Sequence, residues 1–357
     1  MRTSTLLFMA TALLSSSMFG AATDSLKAGK AALKSAGPLA FGPDGVLFVG
    51  DSAGAAVFAL DTSDRAPVSG ATKIEIKGVN EKIAAVLGTA ADQILVNDLV
   101  VNPISKNVYI SVSRGRGPDA IPVIVKVDGT GKISTLSLDN IKFASVAISN
   151  APAAADRNRT SSITDVAYVK GNVVVAGLSN EEFSSNLRSI PFPFQADSKG
   201  ASVEFYHGSH RQFETNSPVR TFLPFTINNQ DFILAAYTCT PLVKVPVSDL
   251  KAGNKVMGTT IAELGAGNRP IDMISYKKDG HDYILMANSS RGVMKLEADH
   301  LDTYKPITTP IADKAGVPYS AVADWKGVQQ LEKVDDTTAI ILSDASGTMD
   351  LRTMMLP

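Results

Sequence analysis

The sequence predicts an all-β protein, a six-bladed β-propeller with four-stranded blades, and three observations lead to it. Six times an apolar strand ends in small or polar residues and a second apolar strand follows, over residues 46–61, 107–128, 172–194, 231–247, 282–297 and 338–353. Placed side by side, VLFVGDSAGAAVFALD, FILAAYTCTPLVKVPV, YILMANSSRGVMKLE and AIILSDASGTMDLRT share one layout, and a unit of short strands recurring at such a period marks a radial repeat. The 357 residues are 45% hydrophobic and include 27 Gly and 18 Pro, enough apolar surface for a large core and enough turn formers for many short strands.

The elements follow in order. Arg2, the apolar run from Leu6 to Met18 and the small residues Gly20, Ala21 and Ala22 read as a secretory signal over residues 1–22, too short to span a bilayer. The mature protein, 23–357, is then expected to be one β-propeller domain, secreted or periplasmic, monomeric and without a membrane span. The first unit opens at GPLAFGPDG, where Pro43, Asp44 and Gly45 make a turn, and is expected to end near TKIEIKG. Residues 79–89 show helical spacing, with Ile83, Val86 and Leu87 on one side. DLVVNP, NVYISVS, PVIVKVD and KISTLSL fill the four strands of the second unit. Residues 150–162 are polar and Ala-rich and read as an exposed excursion, and 302–327, with three prolines, as a long connection. In the fifth unit IDMISY, DYILMAN and GVMKLE supply three strands, with a fourth expected near TYKPITT. The last unit shows three strands and then stops. Its fourth is expected from the N-terminal segment near Ala31 to Ser35, ahead of Gly37, which would close the ring.

GPLAFGPDGVLFVGDS and NDLVVNPISKNVYISVS together resemble the repeat of NHL-type and SMP-30/gluconolactonase-like six-bladed propellers, an apolar strand, a P-D-G-type turn and a strand ending in a polar residue. The resemblance covers most of the mature chain at the level of the repeat and implies the fold. The Glu, Asn and Asp metal set of the lactonase-like members has no matching positions here, so no catalytic residue is carried over.

Propeller geometry puts the turns between second and third strands on one face with the starts of the inner strands, around the channel mouth. That assignment gathers Asp98, Asp165, Cys239, Arg269, Asp272, Asn288 and Arg291 as candidate ligand-binding residues. Asp51 and Asp344 read equally as Asx residues holding their turns. Several like charges on the channel wall would repel unless a cation or an arginine answered them. Arg269 and Arg291 are placed to pair with Asp272 or Asp98, or to clamp a ligand's carboxylate or phosphate.

The least ordinary segment is Phe205 to Glu214 (FYHGSHRQFE), with two of the four histidines three apart. His207, His210 and Glu214 are candidate metal ligands, and His207, His210 and Asp165 candidate acid/base groups; the same histidines could equally hydrogen-bond a long loop in place. Cys239 is the sole cysteine, which excludes an internal disulfide framework. A net charge of −1 with scattered Lys and Arg excludes a phosphate-backbone partner, so nucleic acid is not expected. No G-x-G-x-x-G, G-x-x-x-x-G-K-[ST], G-x-S-x-G or C-x-x-C-H occurs. Two functions stay open. One is an exported propeller binding a small polar molecule or peptide at the mouth; the other is a metal-assisted hydrolase of the lactonase or esterase type at the same site, with Ca, Zn or Cu as cofactor.

Overall fold

Alternating apolar residues in each unit pair into antiparallel sheets, and six such sheets form a ring. The structure is a computed structural model describing residues 22–68, 70, 73–196 and 199–357; the stretch 1–22 read above as a secretory signal lies, apart from Ala22, outside the described residues. The inner strands are Leu39–Phe41, Ile94–Val101, Asp165–Val169, Thr221–Ile227, Pro270–Lys278 and Val328–Lys333. Each begins a sheet whose second and third strands are the six sequence pairs, such as Val46–Asp51 with Ala56–Asp61 and Thr338–Ala345 with Thr348–Met355. The Pro43-Asp44-Gly45 turn enters the first of them through left-handed backbone at Asp44 (φ 55°) and Gly45 (φ 70°), conformations Asp and Gly tolerate. No helix among the described residues is long and apolar enough to cross a membrane.

The outer strands depart from the expected layout. TKIEIKG contains Glu75–Ile76, which completes the sixth blade rather than the first, through Leu351↔Ile76 and Arg352↔Glu75. The ring is therefore closed from this segment and not from Ala31 to Ser35. The N-terminal strand Lys27–Gly29 lies in the first blade as a fifth strand against Ile141–Ala147, itself the first blade's fourth strand. In the fifth blade the fourth strand is Tyr319–Ala321 rather than the region near TYKPITT. The helix forms at Val79–Leu87, with Val79, Ile83 and Ala84 buried and Leu87 partly so, while Val86 faces solvent.

These exchanges set the order of blades in the ring, which is first, third, fourth, fifth, sixth, second and back to the first. Six core clusters, one at each blade interface, give the same order. Val108, Ile110 and Val112 of the second blade pack with Ile340, Leu342 and Leu351 of the sixth, and Leu47 and Leu60 of the first with Tyr109 and Ile124 of the second. Burying one such side chain contributes about 1.5–3 kcal/mol, so the blade interfaces hold most of the stabilisation. The chain leaves the first blade after four of its five strands, gives two residues to the sixth, builds the second, and returns with Ile141–Ala147 to finish the first. Trp325 is buried in the interface of the fifth and sixth blades, in a packing role.

Candidate functional site

The inner strands bring three aspartates of matching local sequence, Asn97-Asp98-Leu99, Thr164-Asp165-Val166 and Ile271-Asp272-Met273, to the channel wall. Each carboxylate works in the same way. One oxygen accepts from the next residue's own N–H, and the other accepts from an N–H of the neighbouring blade's inner strand. Leu39 donates to Asp98 at 2.7 Å, Phe222 to Asp165 at 2.7 Å and Leu331 to Asp272 at 2.8 Å. Along the ring these clasps join second to first, third to fourth and fifth to sixth blades, an arrangement with pseudo-threefold symmetry. Glu332, next to the clasped Leu331, adds a fourth acid.

Burial pushes all four carboxyls up, Asp165 and Glu332 to about 7 each and Asp98 and Asp272 well above the usual range, with mutual repulsion adding to Asp98 and Asp272. All four are half-buried at the channel surface although the strands enclose them closely. Repulsion between like charges in this ring is met by proton uptake and backbone donors.

Above the aspartates, at the face of the turns between second and third strands, opens a cleft of about 1010 Å³. Its wall is mixed, with polar groups on Asn97, Ser52, Ser113, Thr164, Gln329 and Gln330 set among apolar residues such as Ile163, Ile271 and Leu342. Two guanidinium groups enter it, Arg220 and Arg269, each directly ahead of an inner strand. Arg220 is half-buried, and burial together with the Arg269 charge lowers its pKa. Arg220 Nε donates to Thr238 Oγ1 at 2.9 Å, and among the described residues neither arginine has a carboxylate within 4.0 Å. A smaller pocket of about 90 Å³ links the cleft, past Arg220, to Asp98, Asp165 and Asp272.

The other sequence candidates lie elsewhere. Arg291 donates to the Ala266 carbonyl at 3.2 Å and pairs with neither Asp272 nor Asp98. Asn288 is buried and holds Asn268 and the Met286 carbonyl, a turn-building role. Cys239 sits in its turn at φ 65°, its N–H donating to Asn268. Asp51 and Asp344 bind turn amides; Asp344 does so at the wall of the cleft, which it helps to line, and Asp51 also anchors Lys34 and Ser35 of the N-terminal segment. His207, His210 and Glu214 meet in a hairpin, Ala201–His207 against Gln212–Glu214, at the outer edge of the third blade. None of His207, His210, Cys239, Asn288 and Arg291 lines the cleft, whereas Arg269 does. Arg220 went unselected in the sequence; its one signal is a charge placed, like Arg269, immediately before an apolar inner strand.

No protein-family model matches the chain, and no curated protein is similar to it in sequence. Its fold is similar to that of a glucose dehydrogenase, at 11% identity and TM-score 0.37 over 93% of this chain and 98% of that one. It is likewise similar to the soluble aldose sugar dehydrogenase from Escherichia coli in its apo-form, at 12% identity and TM-score 0.34 over 91% and 97%. A third is the PQQ-bound aldose sugar dehydrogenase from Streptomyces coelicolor, at 10% identity and TM-score 0.31 over 92% and 97%. At these values the likeness concerns the fold and carries nothing about activity.

Proposed function

We propose that the protein is an exported propeller that binds a small polar ligand bearing a carboxylate or phosphate in the cleft at the channel mouth. The observation behind this reading is the pair Arg220 and Arg269, two guanidinium groups sharing one cleft, neither of them within 4.0 Å of a carboxylate among the described residues. Guanidinium forks match carboxylate and phosphate geometry, and an anion between two of them relieves their repulsion while gaining charge-assisted hydrogen bonds. The amides of Asn97, Gln329 and Gln330 and the hydroxyls of Ser52, Ser113 and Thr164 offer donors and acceptors for the rest of a polar molecule. The cleft has the size of a metabolite site. Export rests on the signal-like residues 1–22, and the NHL and SMP-30-like kinship on the repeat pattern.

Calorimetric titration of the purified protein with inorganic phosphate and with succinate tests the reading. Binding of at least one probe is expected, weakened about tenfold or more in Arg220→Gln and in Arg269→Gln with the thermal midpoint nearly unchanged. Equal affinity in wild type and both variants, or no binding of either probe at millimolar concentration, would overturn it. Metal-assisted hydrolysis, the second reading, draws its support from the hairpin of the third blade instead of from the mouth.

A further inference from the structure

The hairpin at the edge of the third blade places three metal-binding side chains together far more tightly than loop support requires. Strand Ala201–His207 pairs with Ser185–Pro191 only through Ser202↔Asn186 and Ala201↔Leu187 and with Lys255–Met257 in parallel over Ser202 to Glu204, then turns back at Gly208 to Arg211, where Arg211 takes φ 60°. Glu214 and His207 stand on one face of the returning pair, and His210 folds over from the turn. His207 Nδ1 lies 2.9 Å and His210 Nδ1 2.5 Å from the same oxygen, Glu214 Oε1, and the two rings are 3.8 Å apart. The three ligand atoms fall within 4.8 Å of one another. Ser217 Oγ donates to the other oxygen of Glu214 and fixes that carboxylate.

A second, independent observation comes from the fourth blade. Glu263, 1% exposed, accepts from Gly208 N–H through Oε1 at 2.6 Å, while its Oε2 is buried without a hydrogen-bond partner. That oxygen lies 3.8 Å from His207 Nε2. A carboxylate oxygen stripped of water and left unpartnered forfeits its solvation and calls for a donor. With the proton of His207 on Nδ1, facing Glu214, Nε2 has no hydrogen to give; it accepts from Ser209 Oγ at 2.9 Å. A metal at Nδ1 would send that proton to Nε2, and Glu263 Oε2 would then be its acceptor. This is the carboxylate–histidine–metal relay that orients metal-bound imidazoles.

We propose that His207 Nδ1, His210 Nδ1 and the Glu214 carboxylate form a site for a divalent transition metal, with Glu263 as the outer partner of His207. Two imidazoles and one carboxylate suit zinc and its neighbours rather than calcium, which takes oxygen ligands. Tetrahedral coordination at about 2.0–2.1 Å sets ligand atoms about 3.3 Å apart. The two N···O distances therefore open by less than about 1 Å, a movement within reach of the His210 ring, whose side chain is 44% exposed. Three protein ligands and an exposed edge leave the fourth position to water or a ligand, the layout of catalytic rather than closed structural zinc sites. The proposal is independent of the arginine cleft, since none of its ligands lines that cleft.

The test is Zn2+ titration by calorimetry on chelator-treated full-length protein, with Co2+ absorption as a geometric readout. One Zn2+ per chain is expected, and Co2+ should give the intense visible bands of four-coordination. His210→Ala, at the half-exposed position least tied to folding, should lose at least tenfold in affinity, with circular dichroism confirming the fold. Glu263→Gln keeps all three ligands and should weaken Zn2+ by about 10–100-fold. The double variant His281→Ala/His300→Ala, which removes the two remaining histidines, should bind as wild type. Absence of stoichiometric Zn2+, or undiminished binding in His210→Ala, overturns the site; undiminished binding in Glu263→Gln overturns the role given to Glu263.

Discussion

Replacing Asp165 by Asn should flatten the dependence of stability on pH between 5 and 8. In the folded protein burial holds the Asp165 carboxyl at about 7, against an ordinary value of 3.8. Between those values the folded state keeps a proton that the unfolded state has released. Stability from this group is therefore complete below about pH 4 and lost as pH rises towards 7. Most of that loss falls between pH 5 and 7. At about 1.4 kcal/mol per pH unit the ceiling there is near 3 kcal/mol, and channel water reaching the half-buried carboxyl lowers the expected effect to about 1–2 kcal/mol. Asn keeps one acceptor for the N–H groups of Phe222 and Val166 and forfeits the other, at a cost of about 1 kcal/mol that does not vary with pH. Guanidinium chloride unfolding of both proteins at pH 5, 6, 7 and 8, with chelator present so that no cation answers the acid ring, isolates the slope from the offset. Wild type should fall by about 1–2 kcal/mol more than Asp165→Asn across this range, while Asp98, Asp272 and Glu332 contribute the same sign to both. Parallel profiles would refute the account of a buried, protonated clasp.

Ile76→Ala should cost about 2–4 kcal/mol, read as a lowered denaturant midpoint, because Ile76 is buried where the two-residue strand closes the sixth blade; a surface-sized loss below about 0.5 kcal/mol would show that closure does not depend on it. Asp64 Oδ2 accepts from Ser105 Oγ, Asn107 Nδ2 and Tyr109 Oη and pairs with Lys126 at 3.2 Å, and these contacts hold its pKa down despite burial. Asp64→Ala strands the fully buried Tyr109 hydroxyl and should lower stability by about 3 kcal/mol in the same assay, with Asp64→Asn recovering part.

The six hairpins were legible because a strand and the partner that follows it within a short turn are coupled locally. Alternating apolar residues such as those of VLFVGD and AVFALD announce both the strands and the face they bury, as do the four strands of the second unit. Three of the four acids of the channel wall, Asp98, Asp165 and Asp272, were legible as carboxylates interrupting apolar inner strands, whereas Glu332, in a strand rich in polar residues, was not. What closed the sheets was not. Glu75–Ile76 and Ile141–Ala147 join blades far from their neighbours in sequence, and an edge strand is recruited through backbone N–H and C=O groups that every residue carries. Nothing in TKIEIKG distinguishes a partner at Leu351 and Arg352 from one in the first blade. The order of blades around the ring follows from those two recruitments and was equally hidden.

The same division separates the two sites. His207, His210 and Glu214 converge across one hairpin, so their spacing in the sequence already described their meeting, whereas the carboxylate behind them, Glu263, arrives from the next blade. Arg220 and Arg269 come from different blades, and only the ring brings their charges into one cleft. The sequence alone determined strand content, repeat and the chemistry of each short segment, since these depend on contacts a few residues apart. The tertiary structure decided which segments share a mouth, because that depends on how the ring closes, and its closure is set by backbone pairing and packing between blades rather than by any local pattern.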